Sequence, residues 1–173
     1  MVTTSSRSKA QLESLGFVVT ELTDVDQLDL TVDSCLDGIK GGGAALTLEK
    51  NVDVNSKKNV WIVDESKVVD HLRLRSFPLP VEVLQISCEQ VKRRFNVEGL
   101  NAEFRLNKDG TRLETHYGNY ILDLMLDTIP VPSGLADYLD RTVGVVEHEL
   151  FLNICDELLI THNDGTVEAR FRK

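Results

Sequence analysis

Several things are scarce in these 173 residues, and each scarcity removes a class of protein. Only three cysteines occur, Cys35, Cys88 and Cys155. They are odd in number, widely spaced and without CxxC or His-paired spacing, so neither a disulfide framework nor a structural zinc site is expected, and a reducing cytoplasm fits best. No apolar run approaches membrane-spanning length, and no secretory signal is expected at the amino terminus. Positive charge is also short: 19 Lys and Arg against 28 Asp and Glu leave a net charge of -9 and a pI near 4.9. That balance argues against nucleic-acid and anionic-membrane partners, while a small anion in a locally basic pocket stays open. The cluster Lys92-Arg93-Arg94 reads as a solvated helix face.

What remains is a soluble globular composition, 42% apolar and 27% charged, long enough for one ordinary domain or a main domain with a smaller one attached. One stretch stands out as built for chemistry: Ile39-Lys40-Gly41-Gly42-Gly43-Ala44-Ala45-Leu46-Thr47-Leu48-Glu49-Lys50. Consecutive glycines suit a backbone that takes unusual angles or approaches a ligand closely. Good helix formers follow, predicting a helix from Gly43 to Asn51 whose exposed amides would attract an anion, with Glu49 in its second turn. Lys40 adds a cation, and Glu49 a carboxylate able to accept a proton. A flexible connection with solvated Glu49 and Lys50 is the plainer reading. The segment is not a Walker loop, because its lysine precedes the glycines and no GK[ST] follows.

The remaining pattern alternates. Val2 to Ser6 reads as a strand end, Lys9 to Leu15 as a short amphipathic helix stopped by Gly16, Phe17 to Val19 and Leu28 to Val32 as strands, and Asn59 to Val63 as another. This is βαβ grammar and implies a parallel-rich sheet with helices on both faces, Rossmann-like. Ser5, Ser6, Arg7, Asp33, Ser34, Asp64, Ser66 and Lys67 each follow an apolar run, so they are expected at the carboxyl edge where such sheets bind ligands. Helix capping explains Ser6, Ser34 and Ser66 equally well.

From Pro80 the pattern becomes strand (80–86), helix (88–96), strands (102–106 and 112–115) around Asn107-Lys108-Asp109-Gly110, strand (121–126), helix (132–138) and strand (143–147). That order predicts a small ferredoxin-like α+β module. Strands at 158–160 and 166–171 flank the turn His162-Asn163-Asp164-Gly165. The division expected is 1–77 as the α/β catalytic domain, 78–150 as the ferredoxin-like domain and 151–173 as a return to the first sheet.

Three segments in order carry a family resemblance. Lys40 to Lys50 resembles the KGGGAALT-x-EK signature of the ribose-5-phosphate isomerase type A family; Trp61 to Lys67 resembles its strand ending in D-x-S-K; Phe77-Pro78-Leu79-Pro80-Val81-Glu82-Val83 matches its FPLPVEV segment. The resemblance implies interconversion of ribose 5-phosphate and ribulose 5-phosphate through an enediol, in the pentose phosphate pathway, with no metal or redox cofactor and as a homodimer or homotetramer. It assigns Glu49 as the base, Lys40, Gly41, Gly42 and Gly43 as the substrate loop, Lys67 as a substrate-binding lysine and Asp33 as the first aspartate of the V-D-G-A-D-E segment. Here that segment reads Val32-Asp33-Ser34-Cys35-Leu36-Asp37-Gly38, in which the second aspartate has no clear counterpart and Asp37 is the candidate substitute. The family's Thr-Gly-Ser-Thr phosphate loop has no counterpart in these residues. A second expectation follows from that departure: a sugar-phosphate-binding or assembly remnant that keeps the fold without turnover. His71, His116, His148 and His162 lack metal or triad spacing and are expected in surface or interface roles, with Glu147-His148 echoing the family's V-V-E-H segment.

Overall fold

A computed structural model describes residues 1–33, 44–68 and 77–172. The chain divides into two compact units. The first takes residues 1–33, 48–65 and 153–172, the second 44–47, 66–68 and 77–152. The sequence division fell at 77/78 and 150/151; by packing, one boundary falls inside a helix, between residues 47 and 48.

The first unit is built on a four-stranded sheet of β1 (Thr31–Asp33), β2 (Asn59–Asp64), β7 (Glu157–Thr161) and β8 (Val167–Phe171), in that spatial order. β1 and β7 flank β2 in parallel, and β8 closes antiparallel on β7. This is the expected parallel-rich α/β sheet, with the carboxyl-terminal strands returning to it. β2 lies at its centre, which is why Val60, Trp61 and Val63 are buried. The hairpin turn of His162 to Gly165 forms as its Asp-Gly pair predicts, with Gly165 at φ 84° and the His162 N–H donating to Thr166 O at 2.9 Å. Helix α1 (Ser6–Ser14) begins where Ser5 Oγ accepts from the Ser8 N–H at 3.1 Å, so capping is the observed role of that serine, and Gly16 at φ 84° ends it.

Two expected strands are absent here. Val2–Ser6 and Phe17–Val19 meet only through Met1, whose ammonium donates to Val18 O at 2.8 Å and whose carbonyl accepts from the Thr20 N–H at 2.9 Å. Two bonds do not make a ladder, and Val18 is 82% exposed, so apolar β-branched content without a packing surface yields no strand. Leu28 likewise contributes one isolated bridge to Ser56, and β1 starts only at Thr31.

The second unit contains β3 (Leu79–Val83), α3 (Cys88–Val97), β4 (Ala102–Phe104), β5 (Tyr120–Leu124), α4 (Pro132–Asp140) and β6 (Val145–His148). Its sheet runs β4-β5-β3-β6 and every pairing is antiparallel, which is the ferredoxin-like topology expected from the element order. Leu79, Val81 and Val83 alternate onto one face and join Val91 and Phe95 of α3, Ala136 and Leu139 of α4, and Leu122 and Leu124 of β5 in the main core. The expected strand at 112–115 is reduced to two isolated bridges, Leu106 with Arg112 and Glu114 with Tyr120. A second turn at Thr115 to Gly118, closed by Thr115 N–H to Asn119 O at 2.8 Å, cuts that ladder short. β3 ends at Val83, before a 3-10 turn over Gln85–Ser87, rather than running to Ile86.

Helix α2 (Leu46–Val54) follows the glycine loop and starts three residues later than expected. Ala44 takes the left-handed region at φ 59°, which a helix cannot include. The shift moves Glu49 from the second turn into the first.

Candidate active site

Asp33 closes β1 and stands half-buried, paired in register with Trp61 of β2, which continues to Asp64. Because β1 and β2 are parallel, both carboxylates belong to the carboxyl edge of the same sheet. Glu49 is half-buried in the first turn of α2, where the helix macrodipole favours a negative charge. Lys67 is half-buried at the end of the 3-10 turn Glu65–Lys67 that follows β2. Lys40, Gly41, Gly42 and Gly43 lie outside the described residues, as do Ser34, Cys35, Asp37 and His71. Asp33 and Glu49 fall in the first unit and Lys67 in the second. The residue that follows the glycines, Ala44, holds φ 59°, a conformation costing a non-glycine residue about 1–2 kcal/mol. Such outliers persist where surrounding packing fixes them, and Ala44 is packed with Leu46 and Ile121.

Beside this segment lies a polar cluster that the sequence reading did not single out. Glu82, in the middle of β3, is only 1% exposed. Its carboxylate accepts from the hydroxyl of Thr47 in the first turn of α2, from Thr115 Oγ1 at 2.7 Å and from Asn119 Nδ2 at 2.9 Å. The available signal was a single acidic residue inside the apolar run Leu79-Pro80-Val81-Glu82-Val83, since a buried carboxylate requires donors to match it.

The histidines and cysteines play different parts from one another. His116 is exposed, as expected. His148 is not a surface residue: it is 3% exposed at the end of β6. Its Nδ1 accepts from the Leu150 N–H at 3.1 Å, which leaves the proton on Nε2, 3.2 Å from Asp140 Oδ1. Asp140, Glu147 and His148 have ligand atoms within 4.8 Å of one another. Glu147 Oε1 accepts from the His148 N–H at 2.7 Å, so Glu147 and the His148 Nδ1 both carry hydrogen bonds within the fold. His162 Nδ1 sits 2.6 Å from Glu65 Oε2, and that hydrogen bond raises the imidazole pKa above its ordinary value. Burial pushes the Cys155 thiol up, away from nucleophilic chemistry.

The family model for ribose 5-phosphate isomerase A (phosphoriboisomerase A) matches residues 1–165. The chain belongs to the ribose 5-phosphate isomerase A family. The isomerase A of Lactobacillus delbrueckii subsp. bulgaricus is 70% identical over 178 aligned residues, covering 99% of this chain and 76% of that protein. The isomerase A of Bifidobacterium longum is 46% identical, covering 95% of this chain and 72% of its own length. Among solved structures, ribose 5-phosphate isomerase A from Neisseria gonorrhoeae aligns with a TM-score of 0.86 at 32% identity, over 98% of this chain and 76% of that one. A D-ribose-5-phosphate isomerase in complex with phospho-erythronic acid aligns with a TM-score of 0.89 at 29% identity, over 99% and 77%. The family is therefore the one that the KGGGAALT-x-EK, D-x-S-K and FPLPVEV segments resemble. No helix among the described residues is long and apolar enough to cross a membrane.

Proposed function

We propose that this chain catalyses the family's reaction with Glu49 as the single general base. The ribose 5-phosphate isomerase A family interconverts ribose 5-phosphate and ribulose 5-phosphate in the pentose phosphate pathway. The observation that carries the reading is Glu49 in the first turn of a helix that opens on the Lys40-Gly41-Gly42-Gly43 loop, within a chain matching the family over 165 residues. Glu49 takes the proton from C2 of the aldose and returns it to C1 of the enediol while a second proton passes from O2 to O1, so one carboxylate serves both transfers at carbon. Lys40 and the loop amides stabilise the enediolate oxygen, Asp33 orients substrate hydroxyls, and Lys67 holds the sugar phosphate. The neighbour that binds phospho-erythronic acid supports an anionic ligand of this kind. Proton transfer between adjacent carbons calls for no metal or redox cofactor in this scheme.

The test is Glu49→Gln, which keeps the shape of the side chain but cannot accept the proton. The rate should fall by about a hundredfold to ten-thousandfold with substrate affinity nearly unchanged. Retention of more than about half the parental rate excludes Glu49 as the essential base. Substrate binding without turnover in the parent protein would favour the second reading, a binding or assembly remnant.

The same proposal takes the protein as a cytoplasmic homodimer or homotetramer without nucleic-acid or membrane partners. The net charge of -9 supports the last two points. Light scattering at micromolar concentration should give a mass above 19.4 kDa, and a clean monomer counts against it.

A further inference from the structure

Glu82 faces away from the main core of its own unit. Leu79, Val81 and Val83 of β3 point toward α3 and α4, so Glu82, between them in register with Ile121, points to the opposite face of the sheet. On that face Ile121 packs with Ala44, Leu46 and the half-buried Leu113. Leu46 and Thr47 are therefore each held to the ferredoxin-like sheet, Leu46 against Ile121 and the Thr47 hydroxyl on the Glu82 carboxylate.

The rest of the Glu82 shell is cross-linked by hydrogen bonds. Thr115 Oγ1 donates to Glu82 Oε1 and accepts from the Asn119 N–H at 3.2 Å, while the Asn119 side chain donates to the same carboxylate oxygen. The Thr115 to Gly118 turn closes on itself through Gly118 N–H to Thr115 O at 3.0 Å. Among the described residues, the donors to Glu82 are two hydroxyls and one amide, matching an acceptor-only carboxylate. A leucine or valine at this position would remove the acceptor that Thr47, Thr115 and Asn119 share, so the carboxylate and its donors act as one unit.

We infer that Glu82 is a positioning residue for Glu49: it fixes Thr47, and the continuous helix passes that constraint to the base two residues on. The inference rests on the reading of Glu49 as that base. Thr47 and Glu49 are two residues apart in the helix and so project about 200° apart around its axis. Locking one sets the other, and about 1 Å of misplacement at a reacting group can lower a rate about a hundredfold. Glu82 itself touches no substrate in this scheme.

The experiment compares Thr47→Val, Thr47→Ser, Glu82→Gln and Glu49→Gln in the full chain, using ribose 5-phosphate as substrate. Thr47→Val keeps the β-branched shape and removes the hydroxyl; Thr47→Ser keeps the hydroxyl. Thr47→Val should lower kcat about tenfold to a hundredfold, with KM within about threefold of the parent, whereas Glu82→Gln should lose less, because its amide can donate to the Thr47 hydroxyl while its oxygen still accepts from Thr115 and Asn119. Thr47→Ser should recover most of the rate. The double variant Thr47→Val with Glu82→Gln should be little worse than Thr47→Val alone, because Thr47→Val already breaks the connection. Hydrogen exchange at the amides of residues 48–50 should speed up in Thr47→Val while the β3 amides stay protected. Should Glu82→Gln fail to fold, Thr47→Val and its exchange pattern still decide. A parental kcat in folded Thr47→Val, with Glu49→Gln inactive, overturns the positioning role and leaves the base in place. A parental kcat in Glu49→Gln overturns both.

Discussion

Leu46 is fully buried against Ile121 at the start of α2, and its truncation links the packing of that turn to the chemistry proposed for it. Leu46→Ala removes roughly three carbons from a dry contact, about 2.4 kcal/mol at about 0.8 kcal/mol per methylene. Truncation of a buried leucine spans about 2–5 kcal/mol, depending on how far the cavity collapses. The cluster is small, and Leu113 at its margin is only half-buried, so collapse is easy and the loss should stay at about 2–3 kcal/mol. For a chain of this size that lowers Tm by about 4–12 °C. Circular dichroism melts would measure it, with Val91→Ala in the main core as the comparison. The first turn of α2 should also lose its register, so kcat at saturating ribose 5-phosphate should fall while the variant is still folded. A Tm within about 1 °C of the parent, with Val91→Ala clearly destabilised, would refute the view that Leu46 anchors this turn.

Two further outcomes follow from particular residues. Gly144 holds φ +100°, and an added Cβ would lie 2.3 Å from Ser87 Oγ and 2.9 Å from Val91 Cγ2. Gly144→Ala should therefore cost about 2–4 kcal/mol, combining left-handed strain with overpacking. Gly165→Ala, at φ +84° with open space around it, should cost only the strain, about 1–2 kcal/mol, and equal losses in denaturant melts would refute the steric argument. His162 gains Glu65 and Glu168 as partners on folding, which raises its pKa above 6.5. The folded state then binds the proton more tightly than the unfolded chain, so this contribution is full below about pH 6.5 and disappears as pH rises through the raised pKa. Added salt weakens it, because the group is solvent-screened. His162→Gln should flatten the Tm profile above pH 6.5, and an unchanged profile would exclude the pair as its source.

What local sequence decides came through clearly. Alternating apolar residues in β2 and β3, the Asp-Gly turns, and the helices of the ferredoxin-like unit follow from periodicity and turn chemistry, which act over a few residues. The KGGGAALT-x-EK run marked the family because its residue types are unusual together, whatever surrounds them. Packing decided the rest. Phe17 to Val19 has strand composition but no surface to pair on, while Arg112 to Thr115 lost its ladder to a neighbouring turn that composition did not weigh against it. The start of α2 depended on Ala44 adopting φ 59°, a conformation that an alanine does not choose locally and that its contacts with Leu46 and Ile121 hold in place. Glu82 appeared in sequence as one acidic letter in a family motif. Its meaning depends on Thr47, Thr115 and Asn119, which lie 33 to 37 residues away along the chain, and hydrogen bonds over such separations exist only once the sheet and the helix have met.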